Sequence, residues 1–325
     1  MKFIDLHCDT LMHLSLFKNE TLTANSAAVD FTRMRKAGAQ AQFFAICLPG
    51  LEQMEGADVP FDDGKCVSEL IEKFAADIAA DGNAVWVKSH IDLTEAEHQG
   101  KVSAFLAFED GRMIRGSMDN LKMYHGKGVR LIGLTWNYEN CFGYPCSDDK
   151  AAMALGLKPF GKEAAAYMLE LGMIIDVSHL SYGGFWDIVD ICKSAKKPFA
   201  ASHSNAAALC SHRRNLTDEM IRAIGETGGC AGINFCAAFL DPAPGNRESR
   251  IKDMVKHAAH IKNTGGKDAL ALGSDLDGIG GNLEIGSIDK MPVLLDALKT
   301  AGFTQTEIEA AAYGNAKRVI CEVVS

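Results

Sequence analysis

The chain has 325 residues and a mass of 35.0 kDa, long enough to bury about three quarters of the surface its unfolded form would expose, so a disulfide or metal staple is not needed for stability. Hydrophobic residues make up 47% and charged residues 23%, the ordinary soluble globular balance, which excludes intrinsic disorder and a fibrous repeat. The net charge of −9 repels phosphate backbones and anionic lipid and so argues against nucleic acid and membrane partners.

In chain order, MKFIDLHCDT comes first; Asp5 and Asp9 disqualify it as the apolar region of a signal peptide. Short apolar runs predict eight strands, at 3–7, 40–47, 103–108, 129–135, 173–177, 198–202, 230–235 and 269–274. Helical spacing lies between them: at 65–80 the apolar residues Val67, Leu70, Ile71, Phe74 and Ile78 form one face, and 161–171, 184–195, 218–227 and 248–263 read similarly. Thr94 with Glu97, and Thr304 with Glu307, match capping boxes. Continuous apolar strands alternating with helices are the mark of a parallel sheet covered on both faces. Eight of them predict an α/β fold, a closed (β/α)8 TIM-type barrel. A doubly wound open sheet fits less well, because His7, Cys8 and Asp9 stand where its Gly-rich turn should follow the first strand. With no linker or fixed-period repeat, residues 1–325 are expected to form one domain, with an insertion at 48–100. No stretch approaches the ~18 apolar residues of a membrane span. The ten cysteines contain no Cys-x-x-Cys pair, which fits reduced thiols and a cytoplasmic location.

The informative pattern is what ends the strands: His7 and Asp9, Glu109, His179, His203 and Asp275. In a (β/α)8 barrel the carboxyl ends of the strands converge on one mouth, where active sites are built. His7 and Asp9 are two apart and can grip one ion from the same side of an extended strand. Imidazole nitrogen with carboxylate oxygen suits Zn²⁺ or a similar first-row ion better than Ca²⁺ or Mg²⁺. His7, Asp9, Glu109, His179 and His203, five ligand candidates, exceed the three of a mononuclear catalytic zinc, so a pair of divalent ions sharing a carboxylate accounts for them better. No Lys ends a strand, which disfavours a Schiff-base lyase.

The segments IDLHCDTL, AFEDG, GLTWN, IIDVSHLS, ASHSNA, RRNLTDE and GSDLDG run the length of the chain, and together they resemble the renal, or membrane, dipeptidase family of zinc metallopeptidases, in a soluble bacterial-type form. The resemblance implies a (β/α)8 barrel with two zinc ions, one held by His7 and Asp9, the other by His179 and His203, with Glu109 bridging them. It also implies that Asp275 passes a proton to the leaving nitrogen and that Arg214 binds substrate. Two residues depart from the family pattern: Trp136 in LTWN replaces a His, and Phe239 replaces the Tyr after the seventh strand. Both are expected to line the substrate pocket and bear on substrate preference. Asp277 is expected to be structural; His90, His98, His125, His257 and His260 are expected on the surface or at caps, and His13 and His212 outside the site.

The activity implied is hydrolysis of the peptide bond of a small dipeptide by a metal-bridging hydroxide. A related barrel hydrolase acting on N-acyl amino acids, lactams or esters, or a metal-binding protein without turnover, is the alternative. The sequence leaves open L,L against L,D preference and whether the chain forms a homodimer.

Overall fold

The computed structural model describes residues 1–50 and 62–325; residues 51–61 of the expected insertion lie outside the described residues. In chain order the strands are β1 (Phe3–Cys8), β2 (Ala39–Ile46), β3 (Ala84–Trp86), β4 (Val102–Phe108), β5 (Val129–Gly133), β6 (Ile174–Asp176), β7 (Ala200–Ala201), β8 (Cys230–Ile233), β9 (Glu248–Ser249), β10 (Leu270–Leu272) and β11 (Asn282–Leu283). Parallel pairing runs β2-β1-β10-β8-β7-β6-β5-β4, and a further β2–β4 pairing closes the ring. The eight strands of this barrel are the eight expected from the apolar runs.

Three short strands were not expected. β3 shares one edge of β4 with β5, pairing Ala84–Trp86 with Val102–Ala104 below the β5 contacts at Leu106–Phe108. β9 pairs with β11 outside the barrel, so the helix expected from 248 begins only at Ile251. The helix Asp63–Asp81 shows how the connections are built. Asp62 accepts from the Lys65 N–H at 3.1 Å at one end and left-handed Gly82 stops the other, while Val67, Leu70, Ile71, Phe74 and Ile78 are buried. Phe74 meets Phe44 of β2 and Trp86 of β3 edge-on at 5.8 and 5.1 Å. The Thr304–Glu307 capping box forms as expected. Thr94, by contrast, lies inside the helix His90–His98 and bonds back to the His90 carbonyl, because Ser89 and Asp92 form the capping box one turn earlier.

One end of the barrel is stoppered. Ala316, Val319, Ile320 and Val323 of the C-terminal helix Asn315–Val323 pack with Ile4, Leu6, Phe43, Phe105 and Leu131 from the strands. Arg318 donates to the carbonyls of Gly228 and Asp268, and Lys197 donates to the Glu322 carbonyl. Gly228, Asp268 and Lys197 each lie just before a strand, so this helix covers the amino ends and leaves the carboxyl ends as the open mouth. No helix among the described residues is long and apolar enough to cross a membrane.

Near that mouth β7, β8 and β10 approach closely. A Cβ at Gly273 would overlap the Ser202 carbonyl oxygen and crowd Gly232, so only glycine fits. Gly273→Ala is expected to destabilise the fold by at least ~3 kcal/mol, measured as a shift in the urea midpoint. A wild-type midpoint would show that the strands can separate there at little cost.

Candidate active site

Every strand-end residue singled out in the sequence reaches the mouth. His7 is on β1, Glu109 follows β4, His179 follows β6, His203 follows β7 and Asp275 follows β10. The strand ends at Cys8, and Asp9 is already the cap of the next helix, so the corner brings His7 and Asp9 together rather than extended alternation. His7 Nε2 lies 3.3 Å from Asp9 Oδ2, 3.8 Å from Glu109 Oε1 and 3.9 Å from Asp275 Oδ1. The same Glu109 oxygen is 3.0 Å from His179 Nε2 and 3.7 Å from His203 Nε2, and those two nitrogens are 3.0 Å apart. Glu109 therefore stands between two pairs of potential ligands. All six side chains are buried.

The electrostatics of this cluster are set by burial and like charge. Burial alone would depress the His7 imidazole, but the Asp9, Glu109 and Asp275 carboxylates outweigh it and raise it to about 10. Burial also pushes Glu109 well above the usual carboxylate range, with Asp9 adding to the shift, and raises Asp275 to about 7 against the attraction of His7. His179 and His203 are pushed well down by burial, with Arg214 and His7 contributing, and so are held neutral. A neutral imidazole is the form that ligates metal.

The layer beneath decides which nitrogen is free. Ser202 Oγ donates to Asp176 Oδ2 at 2.5 Å and contacts His203 Nδ1 at 2.7 Å. With its proton committed to Asp176, Ser202 accepts from His203 Nδ1–H, which leaves a lone pair on Nε2 facing the cluster. Asp176 is otherwise satisfied by Ser178 N–H, Ser178 Oγ and Ser202 N–H at 3.0, 2.6 and 2.8 Å. Under β1, Asp5 takes the Ser274 N–H and Oγ at 2.7 and 2.6 Å.

A divalent cation fits this donor set on the structure's own terms. Among the described residues, His7 Nε2 and Asp9 Oδ1 are buried without a hydrogen-bond partner. Potential ligand atoms within 4.8 Å of one another form three groups: His7, Glu109 and His203; His7, Asp9 and Asp275; and Asp9, Cys47 and Glu109. Lone pairs of neutral imidazoles facing a carboxylate repel unless a cation lies between them.

Above the cluster is a cavity of about 530 Å³ whose lining includes Trp136, Arg214 and Phe239. This is a normal size for a small-molecule site. Arg214 is buried; it donates to the Ser178 carbonyl, with Ser204 Oγ at 3.5 Å and the Phe239 ring 5.4 Å from its guanidinium carbon. Its Nε has no partner among the described residues. The Trp136 ring is 6.5 Å from that of His179. Asp277 receives Thr10 Oγ1 at 2.5 Å and the Ala28 N–H at 2.7 Å, tying two loops together while facing the cavity.

His257 corrects an expectation. It is buried, facing the Ala206 N–H at 3.0 Å with Nδ1 and the Leu240 carbonyl at 3.0 Å with Nε2. His212 also stands closer than expected, lining the cavity beside Phe239. Strand-end reasoning missed Cys47, Asp176, Ser202 and Asn234, whose Nδ2 donates to Asp275 Oδ2 at 2.7 Å. Cys47 had a readable signal, as the last residue of the second apolar run.

The membrane dipeptidase family (peptidase family M19) matches this chain over residues 1–325. The chain belongs to that family. A Klebsiella pneumoniae relative, described as an uncharacterized protein in the pqqA 5′ region, is 37% identical over 234 residues, or 69% of this chain and 84% of its own. An uncharacterized dipeptidase of Schizosaccharomyces pombe is 32% identical over 225 residues, 68% of this chain but only 53% of that protein. Among solved structures, a family M19 dipeptidase superposes with a TM-score of 0.87 at 23% identity, covering 100% of this chain and 99% of its own. A Rhodobacter sphaeroides metallo peptidase, liganded with a phosphinate mimic of L-Ala-D-Ala, gives 0.86 at 24% identity with 99% of both chains covered. At these identities the structural likeness is one of fold.

Ser202→Ala removes the acceptor that orients His203. Divalent-metal affinity is expected to fall about 10- to 100-fold, read by titrating the chelator-stripped protein with Zn²⁺. Unchanged affinity would show that the His203 ring is fixed by other contacts.

Proposed function

We propose that this chain is a metal-dependent dipeptidase in which His7 and Asp9 hold one divalent ion, His179 and His203 hold a second, and Glu109 bridges them. The observation that carries the reading is the position of Glu109 Oε1, 3.8 Å from His7 Nε2 on one side and 3.0 and 3.7 Å from His179 and His203 Nε2 on the other. When bound, two such ions, most simply Zn²⁺, would supply Lewis acidity and activate water for attack on a peptide carbonyl at neutral pH.

The protein's own groups do the rest. Asp275, raised to about 7 by burial and anchored by Asn234, can take a proton and release it to the departing amine near neutral pH. Arg214, whose Nε is unpartnered among the described residues, supplies a fixed cation for the terminal carboxylate of a short substrate, which selects dipeptides over internal bonds. Trp136 and Phe239 wall the same cavity and act on side-chain preference. The dipeptide mimic held by the Rhodobacter sphaeroides relative supports this substrate class. All ten cysteines are unpaired, which supports a reducing, cytoplasmic setting. We read residues 1–325 as one domain, because the C-terminal helix completes the barrel that β1 begins.

Glu109→Gln is expected to lose bound metal and at least ~10³-fold in kcat/KM on dipeptides, measured on one preparation by metal analysis and turnover. A metal-replete, active variant would remove the bridge. Turnover of N-acyl amino acids, lactams or esters in preference to dipeptides would replace the substrate class, and metal binding with no turnover would replace the enzyme reading.

Arg214→Ala should raise KM for dipeptides about 10- to 100-fold with a smaller effect on kcat, the mark of lost uniform binding. Trp136→His should change relative rates across a stereochemically varied dipeptide panel. An unmoved profile would reduce Trp136 to packing.

A further inference from the structure

Cys47 follows β2 and faces the cavity beside the cluster. Its Sγ, an Asp9 carboxylate oxygen and a Glu109 carboxylate oxygen all lie within 4.8 Å of one another. Its thiol donates a long bond to the Leu48 carbonyl at 3.8 Å. An independent observation points into the same space: Asp9 Oδ1 and His7 Nε2, both more than nine-tenths buried, are unpartnered among the described residues. The other cysteines nearby differ. Cys8 Sγ is engaged by Thr10 Oγ1 at 3.4 Å, and Cys236 lines the cavity but belongs to no group of three mutually close ligand atoms among the described residues.

We propose that Cys47 is a thiolate ligand of the ion held by His7, Asp9 and Glu109, giving that position a mixed nitrogen, oxygen and sulfur donor set. This rests on the metal-site reading of those three residues. When the sulfur lone pair forms the bond to the cation, the thiol proton leaves to solvent and no oxidation state changes. Cys47 adds a fourth protein donor to His7, Asp9 and Glu109, so the ion is held more tightly, and activated water would join as a fifth donor. Thiolate also selects softer ions: Zn²⁺, Co²⁺ and Cd²⁺ gain over Mn²⁺ and Mg²⁺, which prefer all-oxygen surroundings. Among the described residues no sulfur donor groups with His179 and His203, and the two positions therefore differ in metal preference.

The test is cobalt substitution of the full chain after chelator treatment. The wild-type protein should show visible Co²⁺ absorption together with an intense near-ultraviolet sulfur-to-cobalt band that saturates with one of the bound equivalents. Cys47→Ser should lose the near-ultraviolet band, keep visible absorption and bind the first equivalent about tenfold more weakly or worse. Cys236→Ser should keep the band. Visible absorption without the near-ultraviolet band in the wild type would overturn the Cys47 assignment and leave the metal-site reading intact. Absence of any bound cobalt would overturn both. A band lost in Cys236→Ser and kept in Cys47→Ser would move the ligand to Cys236 and refute the proposal. If Cys47→Ser fails to fold, a band kept in Cys236→Ser still excludes Cys236, and a wild type without the band still overturns the proposal.

Discussion

The structure is organised around one electrostatic constraint: Asp9, Glu109 and Asp275 are gathered, all buried, around His7 at a single mouth. Carboxylates this close and this dry cannot all stay charged without compensation. The upward shifts of Glu109, Asp275 and His7 show the cluster drawing in positive charge, as protons in the absence of anything stronger. Divalent cations meet the same demand. The net charge of −9 argued against polyanionic partners, yet it says little about the site, where bound ions would make the local field cationic.

Holding such a cluster requires a rigid floor, and the barrel builds it the same way twice. On β1, Asp5 is in register with Leu272 of β10 and takes both the N–H and the hydroxyl of Ser274, two residues further on. On β6, Asp176 is in register with Ala200 of β7 and takes both groups of Ser202, again two residues on. The residue after each serine enters the site: Asp275 in one case, His203 in the other. A carboxylate that bonds the neighbouring strand just below its end fixes where the next side chain points. Buried carboxylates are tolerable here because neighbouring donors satisfy them.

Much of this was legible in the sequence, because burial on both faces keeps a strand mostly apolar, and the polar residues that follow its last apolar residue stand out. The eight barrel strands stood out as apolar runs, and their polar terminators pointed to the mouth. What was not legible depended on register. Asp176 and Ser202 look unrelated in sequence until β6 and β7 are aligned, and Asn234 gains meaning only beside Asp275. The two-residue strands β9 and β11 offer no pattern to read. His257 was a different failure: with Met254, Ala258 and Ile261 it occupies the buried face of the helix Ile251–Gly265, so helical spacing already placed it inside.

The pocket above the cluster divides into a fixed part and a variable part. Arg214 donates to the carbonyl of Ser178, the residue before His179, so the charge that would hold a substrate is tied to the strand end that would hold a cation. A displacement of one moves the other, so a substrate carboxylate bound as proposed would be kept at a set distance from the cluster. Trp136 and Phe239 are half-buried and carry no charge: the Trp136 ring stands 6.5 Å from that of His179, and the Phe239 ring lies 5.4 Å from the Arg214 guanidinium carbon. Changes at Trp136 can therefore reshape a wall without disturbing the charges, whereas a change at Phe239 also alters what the Arg214 guanidinium packs against.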